Sequence, residues 1–152
     1  MIKQLPISVD AVHKSDVRTQ FAAMCYRIKR AGPEILLITA RGSGRWIVPK
    51  GWPMDGMTPG DCAGQEAWEE AGVIGKVFDR CLGLFSYQKS IGGEGLPIVA
   101  MVYPIRVDSL AKEYPEAGER ERKWFSPKKA AKQVEEPELA RILKGFDPAI
   151  LG

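Results

Sequence analysis

The chain has 152 residues, of which 45% are hydrophobic and 27% charged, and its formal net charge is +3. This composition is typical of a globular protein, so we expect one domain over residues 1–152, with residues 1–16 as an arm of little periodicity. No apolar run approaches the roughly 20 residues that cross a membrane, and the three cysteines form no Cys-x-x-Cys pair. Residues 1–6 lack the long apolar stretch and the cleavage site of a secretion signal, so we do not expect secretion. These features exclude a membrane span and a cysteine zinc site, and they predict a cytoplasmic protein.

Strands are predicted first in chain order. Residues 21–30 and residues 34–40 are both apolar, and the Ala-Gly-Pro sequence at 31–33 is typical of a turn between paired strands. Residues 46–48 predict a short third strand that ends at a proline. Residues 50–57 are rich in glycine and proline, and we interpret them as a loop.

A helix is predicted after this loop. Thr58 can cap it, Pro59 occupies the first helical position, where a missing N–H has no consequence, and Asp61 is typical of a capping box. The helix should end at Ala71, because Gly72 is typical of a helix stop.

The rest of the chain predicts strands followed by helices. Residues 73–89 and 96–107 predict two long strands, and residues 122–125 a short last one. Ser126 with Pro127 predicts the start of a second helix, and Pro137 the start of a third that reaches about Gly145. Because strands and helices do not alternate regularly, we expect an α/β fold of the α+β kind, with a mixed sheet flanked by helices.

Three glutamates on the first predicted helix indicate a candidate metal-binding site. Glu66, Glu69 and Glu70 are spaced to lie within about one turn, and the helix carries no Lys or Arg to offset them. Clustered carboxylate oxygens are suited to Mg²⁺ or Mn²⁺ together with the phosphate oxygens of a substrate. The alternative is an acidic face in contact with water.

The order of residues around these glutamates resembles the Nudix box. Gly51 is followed, at the spacing of that box, by Gln-Glu-Ala-Trp-Glu-Glu-Ala-Gly-Val at residues 65–73. Residues 21–27, 36–41, 45–51, 83–85 and 120–125 look like the diphosphoinositol polyphosphate phosphohydrolase branch of that family. The resemblance covers residues 20–145.

Two positions depart from the family pattern. Met57 stands where the first glutamate of the box is expected, and Gln65 where an arginine is expected. In Nudix enzymes that arginine helps to orient the catalytic carboxylate. Gln65 retains hydrogen-bond donors but has no charge, so a slower or weaker site is one implication.

The resemblance implies a Nudix fold, a mixed β-sheet sandwiched between helices, and hydrolysis of a diphosphate linkage by attack of water at phosphorus. It also implies that Glu66, Glu69 and Glu70 are the catalytic and metal-binding set, with the backbone carbonyl of Lys50 or Gly51 as a further metal ligand. The sequence leaves the number of Mg²⁺ or Mn²⁺ ions and the general base open.

Cationic side chains near the box are candidates for binding the substrate. Arg41, Arg45 and Lys50 lie on or beside the segment that leads into the box, where phosphates are expected, and guanidinium groups bind phosphate in a bidentate manner. The resemblance implies that four further cations line the same phosphate-binding site: Arg18, Lys89, Arg120 and Arg122. The alternative for each is a solvated basic side chain.

Three functions remain open at this stage. The first is an Mg²⁺-dependent pyrophosphohydrolase acting on diphosphoinositol polyphosphate or diadenosine polyphosphate. The second is a Nudix hydrolase of a nucleotide sugar or ADP-ribose, and the third is a non-catalytic module that binds polyphosphate. We expect a small phosphate-rich ligand, no membrane partner, and a monomer or homodimer. The basic excess is modest and no nucleic-acid-reading motif is present, so we expect no nucleic-acid partner.

Overall fold

A mixed β-sheet forms the centre of the molecule. The computed structural model describes residues 18–91 and 94–151, so the predicted arm at residues 1–16 lies outside the described residues. Within the described part, the strands are β1 (Thr19–Lys29), β2 (Gly32–Thr39), β3 (Trp46–Ile47), β4 (Lys50–Gly51), β5 (Val73–Val77), β6 (Gly83–Ile91), β7 (Glu94–Leu110) and β8 (Arg122–Phe125). The helices are α1 (Pro59–Ala71), α2 (Pro127–Gln133) and α3 (Pro137–Lys144), followed by a 3-10 turn at Pro148–Leu151.

β1 and β7 are the central strands of the sheet. They run parallel to each other, with Cys25 opposite Ile105, whereas β2 pairs with the other edge of β1 in the antiparallel direction. Outside these, β3 and β8 pair with β2, β5 and β6 pair with β7, and β4 pairs with the start of β1, where Gly51 lies opposite Phe21. This mixed sheet confirms the predicted fold class.

Helices cover both faces of the sheet. Because side chains alternate along a strand, β1 contributes to two apolar clusters. Phe21, Ala23 and Cys25 pack with the buried small residues of α1. The alternate residues of β1, such as Met24, pack on the other face with α2, with α3 through Leu143, and with Phe146 after α3. No helix among the described residues is long and apolar enough to cross a membrane.

The local signals of α1 predicted its limits correctly. The side-chain oxygen of Thr58 accepts a hydrogen bond of 3.1 Å from the amide of Asp61. The helix begins at Pro59 and ends at Ala71, and Gly72 follows it at a φ of +66°, in the left-handed region that favours glycine. These contacts are local, and therefore the sequence was sufficient to predict them.

The prediction of one long strand over residues 73–89 is wrong. β5 ends with Val77 opposite Ile105, and β6 begins with Gly83 opposite Val102. The five residues 78–82 therefore face only two residues of β7, and they leave the sheet as a loop. β7 has 17 residues, longer than predicted, because it pairs with both strands in succession. This division depends on pairing between distant segments, which the apolar pattern of residues 73–89 does not contain.

Candidate active site

A cleft of about 570 Å³ lies where the loop before α1 and the second half of α1 meet residues of several other segments. β1 supplies Gln20, the β2–β3 turn supplies Arg41 and Arg45, and β6 supplies Tyr87 and Lys89. The remaining lining residues are Ala40, Ser43, Ile47, Lys50, Gly51, Trp52, Pro53, Met54, Glu66, Glu70, Gln88, Glu116, Arg120 and Glu136. The cleft thus combines carboxylates with a larger number of cations.

Two carboxyl groups of α1 meet in this cleft. Glu66 and Glu70 are separated by four residues and lie on the same side of the helix, where their carboxyl groups share a hydrogen bond. Glu70 is only 5% exposed. Burial is the main cause that raises the pKa of Glu70 well above its usual range, and the hydrogen bond with Glu66 adds to it. Arg120 and Lys50 act in the opposite direction.

The backbone of β4 passes directly against this pair. A Cβ atom at Gly51 would overlap the carboxylate of Glu66, and it would lie 2.7 Å from the Cγ atom of that side chain. Gly51 is therefore required by space, since any side chain at this position displaces Glu66.

The third predicted glutamate is not part of the pair. Glu69 is half-buried and does not line the cleft, and its backbone carbonyl accepts a hydrogen bond of 3.0 Å from the amide of Glu116. One helical residue corresponds to a rotation of about 100°, so a residue next to Glu70 points to a different side of α1. Among the described residues, no three His, Cys, Asp or Glu side chains form a ready-made metal site.

Two lysines of the cleft lie over aromatic rings. The ammonium nitrogen of Lys50 is 5.0 Å from the ring centre of Tyr87, and that of Lys89 is 5.4 Å from the ring of Trp52. Burial lowers the pKa of Lys50, although Glu70 acts against this effect. The hydroxyl of Tyr87 donates to the side-chain oxygen of Gln20, which is itself buried.

Two predicted arginines lie at the mouth of the cleft, each held by acidic residues. The Nη1 atom of Arg41 is 3.0 Å from Glu119, and that of Arg45 is 2.6 Å from Glu135. The partner carboxylates raise the pKa of Arg41. Exposed ion pairs of this kind are worth about 0–1 kcal/mol, so a multiply charged phosphate ligand can replace the carboxylates.

Two other predicted cations do not line the cleft. Arg18 is exposed just before β1, and its backbone carbonyl accepts a hydrogen bond from the amide of Val99. Arg122 donates to the carbonyl oxygens of Ala71 and Ala111, at 3.0 and 2.9 Å, and its guanidinium lies over the ring of Tyr114. Arg122 therefore satisfies a carbonyl at the end of α1 in this structure.

Sequence reasoning missed several lining residues, four of which stand out. Gln20, Tyr87, Glu116 and Glu136 come from four separate segments, and none belongs to a spaced motif. For Gln20, a polar residue directly before an apolar run was an available signal. The two glutamates reach the cleft through loops, which the sequence pattern does not place.

Comparison with known proteins identifies the family. A model of the NUDIX domain matches residues 18–146. The chain belongs to the Nudix family. It is accordingly a member of the Nudix pyrophosphohydrolases, and the resemblance drawn from residues 51–73 is confirmed.

Curated Nudix relatives share up to about a third of the sequence over most of the chain. Human diphosphoinositol polyphosphate phosphohydrolase 3-alpha is 32% identical over 127 residues, which cover 81% of this chain and 74% of the relative. Human diphosphoinositol polyphosphate phosphohydrolase 2 is 29% identical over 157 aligned positions, covering 98% and 83%. The crystal structure of a C. elegans Ap4A hydrolase has a TM-score of 0.65 at 21% identity, covering 90% of this chain and 99% of that one, and it confirms the fold.

The two departures from the Nudix box lie outside the cleft wall. Met57 is half-buried and packs against the apolar cluster between the sheet and α1. Gln65 is half-buried on α1, and like Met57 it does not line the cleft. Position 57 thus places an apolar side chain on an apolar surface.

Divalent metal, on which Nudix enzymes typically depend, fits the residues present. Glu66 and Glu70 offer hard oxygen donors on one side of α1, and the backbone of Gly51 packs closely against Glu66. Mg²⁺ keeps several waters and uses only one or two carboxylates with substrate phosphates, so two glutamates are an adequate protein contribution.

The raised pKa of Glu70 predicts a stability that depends on pH when no divalent metal is present. The folded-state pKa lies above the unfolded value, so the contribution of Glu70 is fully present below the unfolded pKa and is lost as pH rises through the folded one. Urea unfolding in EDTA, between about pH 5 and about pH 9, should therefore show wild-type stability falling more than that of Glu70→Gln. If the free energy of unfolding changes equally with pH in the two proteins, the raised pKa of Glu70 is contradicted.

Proposed function

We propose that this Nudix hydrolase cleaves a diphosphate linkage in a highly anionic small molecule, with Mg²⁺ or Mn²⁺ as cofactor. Diphosphoinositol polyphosphate is the first candidate substrate and diadenosine polyphosphate the second. The observation that carries the proposal is one cleft in which the Glu66–Glu70 pair faces several cations. Attack of water at phosphorus needs neutralised phosphate oxygens and a positioned nucleophile, and such a cleft offers both.

The residues take distinct roles in this proposal. Glu66, Glu70 and the backbone at Gly51 hold the metal, and Glu69 joins them only if its side chain turns toward the cleft. When bound, the metal supplies positive charge next to the phosphate that is attacked. Lys50, which lies over the ring of Tyr87 and feels the charge of Glu70, binds the phosphate nearest to the reaction.

Phosphates farther from the reaction are assigned to the mouth of the cleft. Arg41 and Arg45 exchange their ion pairs with surface carboxylates for hydrogen bonds to the ligand phosphates. Lys89 binds the ligand from β6. Several separated cations favour a ligand with many phosphates over one with a single diphosphate. This charge arrangement supports an inositol pyrophosphate as substrate, as does the name that the two human relatives carry.

One observation favours the second candidate. Trp52 lines the cleft beside Gly51, and its ring is partly exposed. A flat indole at this position is suited to stacking a nucleobase, which a dinucleoside polyphosphate or ADP-ribose provides. Trp52→Leu should therefore weaken turnover of a dinucleoside polyphosphate more than turnover of an inositol pyrophosphate, which should fall only as far as Lys89, packed over the ring, is displaced.

A hydrolysis panel in Mg²⁺ tests the proposal. The panel contains a diphosphoinositol polyphosphate, diadenosine polyphosphates, ADP-ribose and a nucleotide sugar, and the products are separated by ion-exchange chromatography. We expect the inositol pyrophosphate to have the highest kcat/KM. If no diphosphate turns over while a polyphosphate binds tightly by calorimetry, the protein is a non-catalytic binding module and the proposal is wrong.

A further inference from the structure

The guanidinium of Arg120 lies beside Glu70 in the wall of the cleft. Its side chain is only 9% exposed, and its Nη2 atom is 3.7 Å from the Oε1 atom of Glu70. Two further contacts hold the other nitrogens of the guanidinium. The Nε atom donates to Glu116 at 3.0 Å, and Nη1 donates to the backbone carbonyl of Thr39 at 3.1 Å. The guanidinium is thus anchored to β2 and to the loop before β8.

The helix that carries Glu70 has no cation of its own. Residue 65, where the Nudix box has arginine, is an uncharged glutamine that does not line the cleft. Within the described residues, Arg120 is the cation that forms an ion pair with Glu70. A planar guanidinium held at two points presents its remaining donors in a fixed direction, which a flexible ammonium cannot do.

We propose that Arg120 is a positioning residue: anchored by Glu116 and Thr39, it holds the Glu70 carboxylate in its working orientation, the task that α1 lacks a cation to perform. This inference rests on the proposed function. It differs from phosphate binding, because three of the guanidinium nitrogens are already directed at Glu70, Glu116 and the Thr39 carbonyl. Partners that orient metal ligands typically change activity by about 10- to 100-fold when they are removed.

Kinetics of Arg120→Gln and Arg120→Lys test the proposal. We expect Arg120→Gln to lower kcat by about 10- to 100-fold while KM changes little, since a group that acts through Glu70 affects the reaction step. Arg120→Lys keeps the positive charge but loses the planar guanidinium with its several donors. It should therefore recover only a small part of the kcat that Arg120→Gln loses. The matched control is Arg27→Gln, which removes a half-buried arginine paired with Glu34 outside the cleft.

A second measurement needs neither metal nor turnover. In metal-free protein labelled with ¹³C at glutamate carboxyl groups, the Glu70 resonance is assigned by its loss in Glu70→Gln. It should move in both Arg120 variants and stay in place in Arg27→Gln. A stationary Glu70 resonance would overturn the proposal, as would full kcat recovery by lysine or a rise in KM at unchanged kcat. If wild type hydrolyses nothing, the proposed function fails, while the resonance still tests the contact with Glu70.

Discussion

Glu70→Gln is expected to lower kcat by about 10²- to 10⁴-fold, the largest effect of any single substitution in the cleft. Glutamine has nearly the same size and can still hydrogen-bond to Glu66, so the packing of this buried side chain is kept. What disappears is the negative charge that the proposed metal requires. Phosphate release under saturating substrate and Mg²⁺ measures the loss, and circular dichroism verifies that α1 remains folded.

Two companion variants make this result specific. Glu69→Gln should lose much less activity than Glu70→Gln, because Glu69 does not line the cleft. Glu34→Gln removes a carboxylate of the β1–β2 hairpin that pairs with Arg27 outside the cleft, and it should behave as wild type. If Glu70→Gln is as active as Glu34→Gln, the assignment of the carboxylate pair is wrong. If Glu69→Gln is the most impaired, the sequence interpretation of the three glutamates is preferred to the cleft geometry.

Gly51→Ala is expected to reduce kcat by about 100-fold, because a displacement of about 1 Å at a reacting group has an effect of this size. The new methyl group would overlap the Glu66 carboxylate. Neither backbone can easily retreat, since Gly51 pairs with Phe21 of β1 and α1 packs against the sheet through buried alanines. The side chain of Glu66 must therefore leave its place beside Glu70. Calorimetric titration with Mn²⁺ should show weaker binding in parallel with the loss of kcat.

Another glycine provides the control for this substitution. Gly145 ends α3 at a φ of −88°, and a Cβ atom there would meet nothing closer than the Arg141 carbonyl oxygen at 3.4 Å. Gly145 is outside the cleft, so Gly145→Ala should retain wild-type kcat and Mn²⁺ affinity. Unchanged Mn²⁺ binding in Gly51→Ala would show that Glu66 is not held against β4 as described.

Local sequence signals predicted α1 and the starts of α2 and α3 because caps and first-turn prolines act over only a few residues. Thr58, Ser126 and the prolines after them satisfy or remove the first free amides of a helix, whatever surrounds it. The long-strand prediction over residues 73–89 failed for the opposite reason. Whether an apolar segment continues as one strand depends on its partner, and here β7 is shared by two strands.

The sequence by itself determined the family and the carboxylate pair. The spacing from Gly51 to Gly72 specifies a loop followed by a helix, and four residues of helix necessarily bring Glu66 beside Glu70. Only the tertiary structure decided which charges surround that pair. Arg120 reaches Glu70 from the loop before β8, and Glu116 and Glu136 enter through loops without periodicity. Arg122, two residues from Arg120, turns instead to the end of α1. Contacts between segments distant in the chain depend on how the sheet is assembled, and no local pattern encodes them.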